Sequence, residues 1–139
     1  MRGRIYRALC LALGVVFIAA ALPKISDPRA FALAVFRYRL LPGPLVYPVA
    51  LILPWAECFA GLSLVFLPAW RRAAAVLAAG LLVLFVAAQG AALLRGLDIA
   101  CGCFGAGDLV GLPTLLRTLL LLAAAVYCCR PERQRSGTA

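Results

Sequence analysis

The fold is decided by the stretch AAAVLAAGLLVLFVAAQGAALL, Ala73 to Leu94, in which Gln89 is the only strongly polar residue. A helix needs about 20 consecutive apolar residues to cross the hydrocarbon core of a bilayer, and this stretch is long enough. It follows the run Pro68–Arg72, in which a tryptophan and two arginines stand together as they do at membrane–water interfaces. The stretch therefore predicts a transmembrane helix.

Further apolar runs predict three more spans. Together the four lie at about 5–22, 45–67, 73–94 and 110–129, and a polar tail follows at 131–139. The chain is 65% hydrophobic and 14% charged, whereas soluble proteins have about 45–50% apolar and about 25% charged residues. We predict an all-α integral membrane protein, one four-helix domain over residues 1–130. The first run also fits a cleaved signal peptide, and either outcome leaves the later topology unchanged.

A short interfacial helix is predicted after the first span. The segment Pro23–Pro28 is expected to end the first helix, and Asp27 before Pro28 is typical of an N-cap followed by proline at the first helical position. The new helix is expected to run to about Leu41, with its arginines spread over one side. The other side is an apolar arc formed by Phe31, Ala34, Val35, Tyr38 and Leu41. This pattern favours a helix lying at the membrane surface.

The charge distribution sets the expected orientation. The net charge is +9, but the arginines stand beside apolar runs, which indicates topology signals and anionic lipid contacts rather than nucleic-acid binding. Eight positive residues fall on one side and five on the other. By the positive-inside rule the first side, with both termini, is cytoplasmic in a bacterial inner membrane. The side with eight holds Arg2, Arg4, Arg7, Arg71, Arg72, Arg130, Arg133 and Arg135, and the other holds Lys24, Arg29, Arg37, Arg39 and Arg95.

The glycine-rich loop between the third and fourth spans, IACGCFGAGD at 99–108, holds Cys101 and Cys103. The charge count places it outside, where disulfides persist. Cysteines two residues apart reach disulfide distance when the chain is locally folded, and so tight a ring is easily reduced. Gly102 and Gly105 provide the backbone freedom for such a turn. An exchangeable redox pair is one interpretation of this loop.

Two other interpretations of the loop remain. The pair is a static disulfide that fixes the loop, or it is part of a metal site. A metal site would need Asp98 or Asp108 as a ligand, because the chain contains no histidine. The remaining cysteines, Cys10, Cys58 and the pair at 128–129, fall at other depths, which disfavours an iron–sulfur cluster.

Polar residues within the spans form a second candidate site. A charged residue in a span is costly and needs a partner, and a rise of about 1.5 Å per residue puts Glu57, Gln89 and Arg117 in the half of the bundle nearer the loop, or near its midplane. Lys24 stands at the outer end of the first span. One interpretation is a Glu57–Arg117 pair that fixes helix register. The other is a polar pocket that relays a proton or holds a quinone head group, with Trp55 as a lining or packing residue.

Three segments carry a family resemblance. They are Pro23–Pro28, Leu53–Glu57 and Arg95–Gly105, and the last contains Cys-Gly-Cys-Phe-Gly with Asp98 and Ile99 upstream. They resemble the methylamine-utilisation protein MauE family, which belongs with the DoxX-like redox-associated membrane proteins. The similarity covers roughly residues 5–127.

The resemblance implies a DoxX-like four-helix bundle that helps to mature a periplasmic redox enzyme, with methylamine dehydrogenase as the name-giving client. A periplasmic thioredoxin-like protein or a dehydrogenase subunit is the implied partner. By matching position, the implied site consists of a redox pair, a buried carboxylate and loop residues: Cys101, Cys103, Glu57, Asp98, Gly102, Phe104 and Gly105. Two rival functions are a small subunit of a DoxX-type quinone-linked oxidoreductase and a structural assembly partner with a static disulfide.

Overall fold

Helices make up all the regular secondary structure of the described chain. The computed structural model describes residues 2–96 and 111–130. Its elements in chain order are α1 (Arg2–Ser26), α2 (Pro28–Arg37), α3 (Gly43–Phe66), a 3-10 turn (Pro68–Trp70), α4 (Arg71–Leu94) and α5 (Leu112–Cys128). The predicted all-α class is confirmed.

Three of these helices, α1, α3 and α4, are long and apolar enough to cross a membrane. The fourth apolar helix, α5, has 17 residues, which at a rise of about 1.5 Å per residue extends about 25 Å, short of a typical hydrocarbon core of about 30 Å. The structure therefore supports a membrane protein with three spans. A fourth span through α5 stays a prediction.

The first helix ends within Pro23–Pro28, as predicted, but later than the expected span end at residue 22. Pro23 lies inside α1, which continues to Ser26, and the backbone N–H of Asp27 still donates to the Pro23 carbonyl oxygen at 3.1 Å. A proline in the last turn removes one hydrogen bond, whereas ending the helix earlier would leave several backbone groups without partners in a lipid environment. As a consequence, Lys24 lies on the helix and is buried, with 3% of its surface exposed.

The short helix α2 begins as predicted and ends earlier. Asp27 Oδ1 accepts a hydrogen bond from the Ala30 backbone N–H at 3.1 Å, and Pro28 is the first helical residue. The helix ends at Arg37, and Arg39 has a φ of 52° that turns the chain towards α3. The predicted apolar arc faces the bundle, where its five residues line a cavity: Phe31, Ala34, Val35, Tyr38 and Leu41.

A close helix contact joins α1 to α3 through two glycines. A Cβ atom added to Gly61 would lie 2.8 Å from the Gly14 carbonyl oxygen, and one added to Gly14 would lie 2.9 Å from the Gly61 carbonyl oxygen. Small residues let helix backbones approach closely, which is a principal source of packing energy in membranes. This contact aligns α1 and α3 and so helps to set which of their side chains meet.

The first and last helices run antiparallel. The Tyr6 hydroxyl, near the start of α1, donates to the Cys128 carbonyl oxygen at the end of α5 at 3.0 Å. The buried Cys10 and Cys128 thiols touch there, with 2.8 Å between their Sγ atoms. The end of α1 and the start of α5 therefore lie at the opposite end of the bundle. Helix α4 ends at this second end of the bundle and α5 begins there, so segment 97–110 joins the two helices at that end.

Candidate functional site

A buried ion pair joins α1 to α3 in the interior of the bundle. Lys24 Nζ lies 2.8 Å from both carboxylate oxygens of Glu57, and the two side chains are only 2% and 1% exposed. The predicted Glu57–Arg117 pair was therefore wrong. Because α1 continues through Pro23, Lys24 faces the bundle interior, and its long stem brings the ammonium to the carboxylate. Pairing of this kind is what a charge inside a bilayer requires.

Two aromatic rings surround the same ammonium group. Lys24 Nζ lies 5.1 Å from the ring centroid of Phe31 on α2 and 4.9 Å from that of Phe85 on α4. Both distances fall within the cation–π range of about 6 Å. The ammonium therefore connects four helices. Phe85 was not predicted as a site residue, although its position four residues before Gln89, on the same face of α4, was a usable signal.

A polar contact joins α4 to α5. Thr118 Oγ1 lies 3.1 Å from Gln89 Oε1 and 3.0 Å from the Thr114 carbonyl oxygen, and all three residues are buried. A hydroxyl has only one proton to donate, so the two acceptors share it. Thr114 and Thr118 were not predicted as site residues. Their spacing of four residues on a mainly apolar helix put them on one face, which was the available signal.

The polar side chains surround a small cavity. Lys24, Glu57, Arg117 and Thr118 line it together with apolar residues, and its volume is about 30 Å³. This is close to the volume that one water molecule occupies in liquid water. Gln89 joins the group through Thr118. We call Lys24, Glu57, Gln89, Arg117 and Thr118 the polar cluster.

Trp55 lies apart from this cavity. Its side chain is 62% exposed, and it lies on the outer surface of the bundle. It is neither a lining residue of the small cavity nor a buried packing residue, which were the two expectations.

A larger apolar cavity lies under α2. Its volume is about 340 Å³, and it is lined by the inner face of α2 and by residues of α3 and α4: Val49, Leu53, Leu84, Phe85 and Ala88. We call it the α2 groove. Phe85 also lines the small polar cavity, so this ring separates the groove from the ion pair.

The predicted redox loop lies outside the described residues. This applies to Asp98, Cys101, Gly102, Cys103, Phe104 and Gly105. The residues that flank the segment, Gly96 and Gly111, lie at the end of the bundle nearer to Gln89 and Thr118. Within residues 2–96 and 111–130, no three His, Cys, Asp or Glu side chains are grouped so that they could hold a metal ion.

Comparison with known proteins links the whole helical region to one family. The family model described as methylamine utilisation protein MauE matches residues 2–130. The methylamine utilization protein MauE of Methylophilus methylotrophus is 36% identical over 131 residues, which is 91% of this chain and 68% of that protein. The MauE of Paracoccus denitrificans is 40% identical over 122 residues, 86% of this chain and 65% of that protein.

A third relative covers a shorter region. The MauE of Methylorubrum extorquens is 42% identical over 94 residues, 67% of this chain and 50% of that protein. The chain thus spans between half and about two thirds of the length of these curated relatives. No solved structure matches the chain.

Proposed function

Because this chain belongs to the MauE family, we propose that it serves methylamine utilisation as a membrane protein whose Cys101–Cys103 pair exchanges disulfides with a periplasmic partner. The partner is a thioredoxin-like protein or a dehydrogenase subunit, and the client is a disulfide-rich redox enzyme of the methylamine dehydrogenase kind. The proposal places the protein in the inner membrane with both termini in the cytoplasm, as the positive-inside rule favours.

The observation that carries this proposal is the position of the polar cluster. Lys24 pairs with Glu57 in the core, and Gln89 contacts Thr118 five and six residues from the ends of α4 and α5 that lead into segment 97–110. A reactive pair works best on a rigid support whose side chains are fixed by packing and hydrogen bonds. The polar cluster supplies such a support, because the Lys24 ammonium alone contacts residues of three other helices.

The exchange proceeds by two thiolate attacks. A thiolate of the reduced client attacks one sulfur of the Cys101–Cys103 disulfide, which forms a mixed disulfide and releases the other cysteine as a thiolate. A second client thiolate then attacks the client sulfur of the mixed disulfide. The client leaves with a new disulfide, and Cys101 and Cys103 are left as two thiols. An oxidised thioredoxin-like partner restores the pair by the same steps in the opposite direction.

Thiol trapping in intact cells tests the proposal. Replacing one cysteine, Cys101→Ser or Cys103→Ser, should leave the other unable to resolve, so that a mixed disulfide with the partner accumulates and the client is recovered with free thiols. Cys58→Ser and Cys129→Ser are matched controls, because both thiols are free and partly buried in the helical region, and these variants should leave the client oxidised. A client that matures normally in both loop variants, with the wild-type pair always oxidised, would instead indicate a static disulfide.

A second candidate function assigns the work to the polar cluster. Ion pairs within membranes mark proton and substrate pathways as well as packing, and the Lys24–Glu57 pair favours a subunit of a quinone-linked oxidoreductase. The cavity beside the pair has about 30 Å³, so a quinone ring would enter only after the lining side chains moved. Loss of quinone reduction in Glu57→Gln, with activity retained when Cys101 and Cys103 are both replaced by serine, would favour this function over disulfide exchange.

A further inference from the structure

We propose that the α2 groove and the arginines at its mouth form a binding site for an anionic phospholipid. One acyl chain lies in the groove, and the phosphate is bound by Arg39 and Arg95. This inference does not depend on the proposed disulfide exchange, because no residue of the redox loop or of the ion pair takes part in it.

The depth of the groove matches an acyl chain. Its lining residues on α3, Val49 and Leu53, lie six and ten residues after the start of the helix at Gly43. At a rise of about 1.5 Å per residue they are roughly 9 and 15 Å below that end. Ala88 and Leu84 stand at the same distances from the end of α4 at Leu94. These four residues thus lie below the level of the headgroups, in the half of the bilayer that faces segment 97–110.

The size and chemistry of the groove fit one chain. Its volume of about 340 Å³ and its lining of aliphatic and aromatic side chains, with Tyr38 as the one residue carrying a polar tip, suit a narrow apolar ligand. This volume is at the lower limit of the roughly 300–1,000 Å³ that ligand sites usually have. The inner end is limited by Phe31 and Phe85, whose rings contact Lys24. The acyl chain of the lipid therefore ends at these rings and does not reach the ion pair.

The mouth of the groove is positively charged. Arg39 stands between Tyr38 and Leu40, which both line the groove, and Arg95 Nη1 donates to the Arg39 carbonyl oxygen at 3.2 Å. The two arginines are exposed and meet where α2 turns into α3 and α4 ends. Guanidinium groups bind phosphate by paired hydrogen bonds. This charge selects an anionic headgroup over a neutral one with identical chains.

The acidic residues of the described helices do not offset this charge. Asp27 lies at the other end of α2, where its carboxylate caps the helix through the Ala30 N–H, and Glu57 is bound by Lys24. A quinone or a zwitterionic lipid could occupy the apolar groove but would gain little from the two arginines. A preference for anionic headgroups therefore distinguishes the proposed phospholipid from a quinone or a zwitterionic lipid in the groove.

Native mass spectrometry of the purified full-length chain, titrated with phosphatidylglycerol and phosphatidylcholine of identical acyl chains, tests the proposal. The wild type should bind phosphatidylglycerol preferentially. In Arg39→Gln/Arg95→Gln the preference should fall about 30-fold, because each arginine near an anionic lipid contributes a factor of about five. The control Arg72→Gln/Arg130→Gln removes the same charge from exposed positions at the other end of the bundle and should keep the preference.

A second pair of variants tests the groove itself. Ala88→Trp places a large ring in the groove and should abolish the binding of phosphatidylglycerol, whereas Ala87→Trp, on the exposed face of the same helix, should not. Circular dichroism establishes that the variants fold. The proposal is overturned if the wild type binds both lipids equally, if it prefers an added quinone, or if Arg39→Gln/Arg95→Gln or Ala88→Trp binds phosphatidylglycerol as the wild type does.

Discussion

Replacing Lys24 by methionine should destabilise the bundle strongly. Methionine keeps the length of the stem but removes the ammonium that lies 2.8 Å from both Glu57 oxygens. Glu57 is then left in the core without its cationic partner. It must either stay charged in a low-dielectric environment or take up a proton, and both outcomes raise the free energy of the folded state.

The magnitude follows from the burial of the pair. Exposed ion pairs contribute about 0–1 kcal/mol because water screens them, but these side chains are 2% and 1% exposed. Removing one partner of a buried pair costs about 3–5 kcal/mol, whereas replacing both partners with apolar residues is often nearly neutral. We therefore expect Lys24→Met to lower the free energy of unfolding by about 3 kcal/mol. Lys24→Met/Glu57→Met should lower it by less than about 1 kcal/mol.

Unfolding of the purified chain in mixed micelles by increasing sodium dodecyl sulfate, followed by circular dichroism, measures these changes. Arg29→Met is the matched control, since it removes an exposed positive charge a few residues away and should change stability little. Two results would refute the reasoning: a Lys24→Met variant as stable as the control, or a double variant that is destabilised as much as Lys24→Met or more. Either would show that the pair carries little coupling energy.

Three further substitutions test single contacts by the same unfolding assay. Gly61→Ala places a Cβ 2.8 Å from a facing backbone oxygen and should cost about 1–3 kcal/mol. Gly80→Ala has nothing within 4 Å and should be neutral or stabilising; equal effects would contradict the close packing. Thr118→Val leaves Gln89 without its hydroxyl contact and should cost about 1–3 kcal/mol, which Thr118→Ser should restore. Asp27→Ala removes the cap of α2 and should cost about 1 kcal/mol, and Asp27→Asn should not.

The local features of the fold could be predicted from the sequence because they depend on neighbouring residues. Asp27 before Pro28 identified the start of α2, since a cap needs only a side-chain oxygen and the backbone three residues on. The apolar arc of α2 followed from helical periodicity and proved to be its inner face. The long apolar runs identified α1, α3 and α4 because span length depends only on bilayer thickness.

The partner of Glu57 could not be predicted by the same reasoning. Depth along each span placed Lys24, Arg117 and Glu57 in one half of the bundle, but depth says nothing about rotation around a helix axis. The choice of Lys24 depends on α1 continuing through Pro23, which is a compromise between one lost hydrogen bond and several unpaired backbone groups. The helix contact at Gly14 and Gly61 is likewise a property of two surfaces and not of either segment.

The Lys24–Glu57 pair also has a consequence for biogenesis. Lys24 leaves the ribosome 33 residues before Glu57, so α1 enters the bilayer while its cation has no counter-charge. Because Lys24 is near the end of the helix, its flexible stem can reach the headgroups during this interval. Glu57 lies deeper, and inserting it alone would cost several kcal/mol, about 2.5–3.5 on translocon scales for an acidic residue at mid-helix. The α3 segment thus inserts most readily when α1 is still beside it, because the Lys24 ammonium lowers the cost of burying the Glu57 carboxylate. The first helix therefore assists the insertion of the second span of the same chain.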